Sequence, residues 1–466
     1  MREPIRQKLA DAVQSALPAI TRRDICLPAV PGKTHAVIGM RRAGKTCFLH
    51  QLQRERMELG APRETQVYFN FDDERLAGME AAQLHWVLEE YFLRFPQHRD
   101  RRKVTFYFDE IQVVPGWESF VRRLMDSEKV DVMVSGSSAK MLSREIATAL
   151  RGRAMETLVH PFSFRECLRH QNAEPEGDPA FLPKAKRSAV EKRFAEFLLN
   201  GGFPEAQGLA TQDRLPLLQG YVDSVILRDV VERHGVTNVV ALRRLTRQLL
   251  GAAAGLFSMH RFFTDQKSQG IAVSKDALHA MLGHLEDAFM IRLVPLHTAS
   301  ERQRQANPRK AYPVDAGLIA AFDRTGRPNT GHALETAVLV ELERRKCERA
   351  YVRTSSGYEV DFLATPPVGK PALIQVCADM SDAETRAREF RAMQEAMAEH
   401  KKLPGLLLTA GSTGVSQAQA EAPKGVTVRP AWEWMLEGGG GVRGLTKNLS
   451  FSGTKSNSKL AQDRVK

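Results

Sequence analysis

One short run constrains this chain more than any other: Gly39-Met40-Arg41-Arg42-Ala43-Gly44-Lys45-Thr46. It satisfies GxxxxGK[ST] without a gap. THAVIG (34–39), a β-rich stretch, leads into it, and KTCFLHQLQRERMEL, with Phe48, Leu49, Leu52 and Leu59 spaced for one helical face, leads out. Phosphate chemistry explains the residue types. Glycines such as Gly39 and Gly44 let the loop curl so that the backbone N–H groups of Arg42, Ala43, Gly44, Lys45, Thr46 and Cys47 face an anion, and the helix N-terminus adds positive dipole. Lys45 reaches the β- and γ-phosphates, and the Thr46 hydroxyl suits Mg²⁺. A nearby Gly32-Lys33-Thr34 is a decoy, because Leu27 stands where its first glycine belongs and a strand follows it.

Such a loop needs an acidic pair at a strand end, and VTFYF followed by Asp109-Glu110 supplies one. Asp109 is expected to serve Mg²⁺ and Glu110 to polarise the attacking water. The competing run Asp72-Asp73-Glu74 lies closer to the loop, follows a less apolar stretch, and reads as a solvated strand end. The next strand ends in Ser135-Gly136-Ser137-Ser138, where Ser137 is a candidate γ-phosphate contact or a plain turn residue. Downstream, Arg153 of Arg151-Gly152-Arg153 could steady transition-state charge, in cis or from a neighbouring subunit, or could form an ordinary salt bridge.

Further strand candidates, QVYFNF (66–71) and DVMVSG (131–136), alternate with amphipathic stretches, so the first block, 1–165, is expected to be α/β with a parallel sheet. The second, 166–325, opens on a polar, Pro/Gly-containing stretch (170–188) and is otherwise mostly helical. Ser274 is its clearest N-cap, ahead of the helix in 273–291. IRLVPL (291–296) and KAYPVD (310–315) flank a polar basic segment, and helix, helix, hairpin is a winged-helix order. Arg302, Arg304, Arg309 and Lys310 cluster where a wing would meet a phosphate backbone or simply be solvated, while Asp276, Glu286 and Asp287 on the preceding helix disfavour strong major-groove readout. The third block, 326–437, is a smaller α/β unit, and 438–466 reads as a disordered basic tail.

Taken together, VIGMRRAGKT, YFDEIQ, VSGSS, LRGRAMETLVHPFSFREC and GGFPEA resemble a bacterial and archaeal branch of the AAA-superfamily ATPases, with an ATPase core joined to a C-terminal domain of unknown function. YVDSVILRDVVERHGVTN, KAYPVDAGLIAAF, LETAVLVELERR and GYEVDFL are similar to that C-terminal region. The resemblance implies ATP rather than GTP, a P-loop sheet, a winged-helix segment and a restriction-endonuclease-like module. In such a module Glu335 and Asp361 fit two metal-binding positions, and Glu359 shares the strand face of Asp361. The expected Glu-x-Lys reads Gln375-Val376-Cys377, which removes a carboxylate and the ammonium and argues against cleavage.

Charge and composition set the remaining bounds. Lys+Arg 67 against Asp+Glu 55 gives +12, but the stretch 438–466 holds six bases and one acid, so the excess is a weak argument for a nucleic-acid partner. A protein partner is equally open. Five scattered cysteines without CxxC spacing argue against a disulfide framework or zinc ribbon. No apolar run approaches the ~20 residues of a membrane span, and the N-terminus has no signal-peptide core. These features predict a cytoplasmic ATPase using ATP and Mg²⁺, with a nucleotide-dependent binding switch and an ATP-driven nuclease as the competing functions.

Overall fold

The computed structural model describes residues 1–28, 30–136, 152–323 and 329–437. Ser137, Arg151 and the basic tail lie outside the described residues. The first sheet contains β1 (Thr34–Ile38), β2 (Gln66–Asn70), β3 (Val104–Asp109), β4 (Val130–Gly136) and β5 (Ala154–Leu158), ordered β2-β3-β4-β1-β5 with every pair parallel. Parallel sheets are covered on both faces, and β3 is buried at all of its positions. The helices Lys45–Glu58, His85–Arg94 and Trp117–Ser127 connect the strands as the alternation predicts. The chain returns from β3 to insert β4 beside β1, so the phosphate loop after β1 and the acids after β3 end up on either side of β4.

The second block is mainly helical, with a small antiparallel sheet ordered β6-β8-β7 from β6 (Leu256–Phe257), β8 (Arg309–Pro313) and β7 (Ile291–Val294). Two sequence expectations are corrected here. The polar segment between β7 and β8 is not all loop, because Ser300 caps a helix over Glu301–Ala306. Lys310 is not a wing-tip cation, because its side chain is only 3% exposed, whereas Arg302, Arg304 and Arg309 are exposed.

The third sheet runs β13-β12-β11-β10-β9, from β9 (Glu348–Arg353), β10 (Glu359–Thr365), β11 (Ala372–Cys377), β12 (Gly405–Thr409) and β13 (Val426–Pro430). β9, β10 and β11 are antiparallel neighbours, and β11, β12 and β13 are parallel. Packing does not respect the linear blocks. Phe164, Phe194 and Leu198 share one core with Leu334, Val338, Trp432 and Trp434, which ties helices before residue 201 to the third sheet.

GGFPEA and KAYPVDAG, far apart in the chain, meet at Asp315. Its buried carboxylate accepts the N–H groups of Gly202 (2.7 Å) and Gly317 (2.9 Å). Gly202 is required there, because a Cβ would collide with the Phe162 carbonyl.

Candidate nucleotide site

The site forms where β1 and β3 end. Gly39 has φ +150° and lies against β5's exit, so a Cβ would collide with the Val159 carbonyl. The loop then turns through Arg42 (φ 66°) and Gly44 (φ 99°) into the helix Lys45–Glu58. Thr46 and Cys47 are exposed on its first turn. Lys45 is buried and bonds back to the loop's own carbonyls, Gly39 at 3.1 Å and Met40 at 3.3 Å. Its ammonium is 3.9 Å from Glu110 Oε1.

The Thr46 hydroxyl donates to Asp109 Oδ2 at 2.7 Å, and Asp109 is buried. This hydroxyl–carboxylate pair beside a buried lysine is a donor set that fits Mg²⁺ on a phosphate chain. Asp109 also accepts from the Tyr68 hydroxyl (2.6 Å) and from Ser135 on the intervening β4. Burial and the neighbouring Asp109 both hold the Tyr68 phenol protonated, raising its pKa. Glu110 sits in the left-handed region (φ 52°); its N–H donates to Ser135 Oγ, and its carboxylate accepts from Gln112.

The geometry therefore brings together Gly39, Arg42, Ala43, Gly44, Lys45, Thr46, Cys47, Asp109 and Glu110. It does not bring Arg153 there. Arg153 precedes β5 at the opposite end of the sheet, its carbonyl accepts from Thr34 N–H, and its guanidinium pairs with Asp126. A role for Arg153 in cis is thereby corrected. In the competing run Asp72–Glu74, Asp73 pairs instead with Lys8 and Arg75.

Several residues escaped the sequence reading. Tyr68 and Ser135 are one-residue contacts with no local motif, although Ser135 lies only two residues before Ser137, the serine singled out. Arg23, fully buried, donates to the Ala43 carbonyl within the loop (3.0 Å) and lies 3.1 Å from Glu166, an ion pair without hydrogen-bond alignment. Burial alone would raise the Glu166 carboxyl, but Arg23 and Arg344 hold it down at about 2. Arg41 forms a two-pronged pair with buried Asp229 (2.8 and 3.1 Å) on a π-helical turn, Val225–Val231. Arg42 pairs with Glu205 (3.0 Å), which also accepts from the Tyr221 hydroxyl (2.6 Å).

A family described as an AAA domain matches residues 32–168, and a domain of unknown function (DUF8612) matches 191–329. The chain is 30% identical over 429 residues to the uncharacterized protein MJ1544 of Methanocaldococcus jannaschii, covering 90% of this chain and 91% of that one. The chain belongs to the family of that archaeal protein. Within this family it carries a P-loop AAA-type ATPase domain, in keeping with the parallel sheet and loop above. An uncharacterized protein of Haemophilus influenzae is 28% identical over 333 residues, covering 70% of this chain and 78% of its own length. Among solved structures, the Walker-type ATPase PABY2304 of Pyrococcus abyssi is similar at a TM-score of 0.41 and 16% identity, over 69% of this chain and 95% of that one. Among the described residues no helix is long and apolar enough to cross a membrane.

Proposed function

We propose that the chain binds ATP with Mg²⁺, hydrolyses it to ADP and phosphate, and passes the nucleotide state to its C-terminal parts through the phosphate loop's own arginines. The observation that carries the reading is the meeting of Lys45, Thr46, Asp109 and Glu110 at one end of the parallel sheet. Lys45 exchanges the loop carbonyls for β- and γ-phosphate oxygens. Thr46 and Asp109 hold Mg²⁺, which when bound offsets phosphate charge. Loop N–H groups from Arg42 to Cys47 orient the phosphates, and Glu110 accepts the proton side of the attacking water. Ser135 donates to the Asp109 carboxylate and accepts from the Glu110 N–H, so it aims the first acid and fixes the backbone that carries the second.

The route outward is physical. Arg41 and Arg42 sit inside the phosphate loop, yet their guanidiniums are held by Asp229 and Glu205 of the second block. Any shift of the loop on binding phosphates pulls on those two contacts. π-helical turns cluster at functional sites because they hold a residue out of the regular ladder.

Nucleotide-binding and phosphate-release measurements test the reading. Lys45→Ala is expected to lose binding, and Glu110→Gln to keep binding while turnover falls by 10²-fold or more. Wild-type protein that binds ATP without measurable phosphate release is instead a nucleotide-dependent switch. A second reading, contact with nucleic acid, is favoured by exposed Arg302, Arg304 and Arg309 beside a helix-strand-helix-helix-strand-helix-strand order, a winged-helix order with the helix Glu301–Ala306 inserted between its last two strands. Salt-sensitive DNA stimulation of phosphate release, lost in a triple Arg→Ala variant, is its signature.

A further inference from the structure

The carboxylates that the resemblance to an endonuclease-like module singles out do converge, and a lysine from another part of the chain lies among them. Lys310 Nζ is 2.9 Å from Glu335 Oε1, 2.7 Å from Glu359 Oε1 and 2.9 Å from Asp361 Oδ1. Glu335 comes from the helix Thr330–Arg344, and the other two from β10. Lys310 itself belongs to β8, the central strand of the small second sheet. Two of these acids have a second partner. Tyr312, two residues along on the same face of β8, donates to Glu335 Oε1 (2.6 Å), and Val376 N–H donates to Asp361 Oδ2 (2.9 Å).

The residues at the expected Glu-x-Lys positions have turned to other partners. Gln375 gives its amide N–H to Glu389 (2.7 Å) and accepts from Asp361 N–H, and Cys377 Sγ lies against the Asp379 carbonyl (3.2 Å). Among the described residues no group of three or more His, Cys, Asp or Glu is arranged to hold a metal ion.

Electrostatics match this occupancy. Burial would lower the Lys310 pKa, but Asp361, Glu335 and Glu359 keep it raised, so the ammonium stays charged. Burial and the neighbouring Asp361 raise the Glu335 pKa, which relieves the crowding of acids.

The surrounding backbone is stitched across the same boundary. Leu296, just past β7, bridges Tyr351 of β9; His297 N–H donates to the Tyr351 carbonyl (2.7 Å), and Tyr351 N–H donates to the Pro295 carbonyl (2.9 Å). The Tyr351 hydroxyl reaches the Pro308 carbonyl at 2.8 Å, two residues before Lys310.

We propose that Lys310 is a built-in cation that takes the place of a divalent metal in the endonuclease-like carboxylate pocket and clasps the second sheet to the third. The pocket is thereby an internal ion-pair seam rather than a cleavage centre, and the second and third sheets move as one body. The inference does not depend on the nucleotide reading, since no group in it touches the phosphate loop.

Two measurements on the full chain test it. Mn²⁺ binding, followed by the loss of the free-ion paramagnetic resonance signal, is expected to have the same stoichiometry in the wild type and in Asp361→Asn. An Mn²⁺ equivalent in the wild type that disappears in Asp361→Asn overturns the proposal, because the pocket would then hold metal. Hydrogen exchange reads the clasp. Lys310→Met is expected to raise exchange at least tenfold at 295–297, 309–313 and 348–353 while the first sheet keeps its protection, and Lys310→Arg is expected to restore most of it. Should Lys310→Met not fold, Glu359→Gln removes one partly exposed contact (36% side-chain exposure) and is expected to raise exchange along the same seam to a smaller degree. Wild-type exchange along the seam in the Met variant, or in Glu359→Gln where that variant is the one measured, overturns the clasp.

Discussion

His160 shows how one buried residue sets an acid response. It lies 3.7 Å from Glu343, too far for a hydrogen bond, and burial pushes its pKa from 6.5 down to about 3, so the imidazole is neutral at physiological pH. Below pH 6.5 the unfolded chain takes up a proton that the folded one refuses, and stability falls with pH by up to about 1.4 kcal/mol per unit. Asp315 acts with the opposite sign. Burial raises it from 3.8 to about 6, so across that window the folded state binds the extra proton and stability falls as pH rises. The two slopes offset each other between pH 6 and 4.5. Below 4.5, Glu166 and Glu343 add a further loss as pH falls, because Arg23 and Arg344 hold the first at about 2, and Arg292 leads the groups that do the same for the second. Thermal melts against pH check this. His160→Gln should uncover the Asp315 slope, with Tm rising as pH drops from 6 to about 4.5, and parallel pH curves for variant and wild type would contradict it.

At the scale of elements, the phosphate loop's shape depends on a strand that the sequence barely announces. Ala154–Leu158 reads AMETL, with little β-branched or aromatic content, and its propensity signal is weak. It forms because the open edge of β1 is available for pairing, from Thr34↔Ala154 to Ile38↔Leu158. That pairing delivers the Val159 carbonyl against Gly39, so the glycine answers both a positive φ and a close approach. Gly39→Ala is expected to weaken nucleotide binding more than tenfold (over about 1.4 kcal/mol) and to lower Tm, as titration with a fluorescent nucleotide and a melt would show. Gly78→Ala, at a position where a Cβ meets nothing within 4 Å, is the control for backbone strain alone. The segment after β7 illustrates the reverse case. Its polar composition reads as a hairpin tip, but Ser300 bonds Gln303 N–H and starts a helical turn.

Across the whole molecule, the second block holds the phosphate loop from outside through Arg41–Asp229 and Arg42–Glu205, while Arg23, Glu166 and Arg344 continue the ionic contacts toward the helix Thr330–Arg344. Asp229→Asn is expected to leave nucleotide affinity within a few-fold of wild type. Hydrogen exchange with and without ATP is expected to change at 225–231 in the wild type and to lose that nucleotide dependence in Asp229→Asn. Arg41→Lys, which exchanges a two-pronged fork for a point charge, is expected to fall between them. Identical nucleotide responses in all three proteins would place the coupling elsewhere.

The sequence by itself determined the parts that depend on neighbours along the chain. The run Gly39–Thr46, the apolar strand ending in Asp109-Glu110 and the strand–helix alternation are local patterns, and local backbone geometry carries them into the parallel sheet and its phosphate loop. Glu335 and Asp361 were legible only through the resemblance to an endonuclease-like module, and Glu359 through the strand face it shares with Asp361. Tertiary structure alone decided the partners. Tyr68 on Asp109, Asp229 on Arg41, Asp315 on the distant Gly202 and Lys310 among three carboxylates each join segments with no sequence pattern between them. A charged residue in a sequence reads as solvated, because burial of charge is tolerable only when counter-charges and hydrogen bonds meet it. Those counter-charges come from elsewhere in the chain, so only the folded arrangement turned Lys310 from a surface cation into the centre of a buried seam.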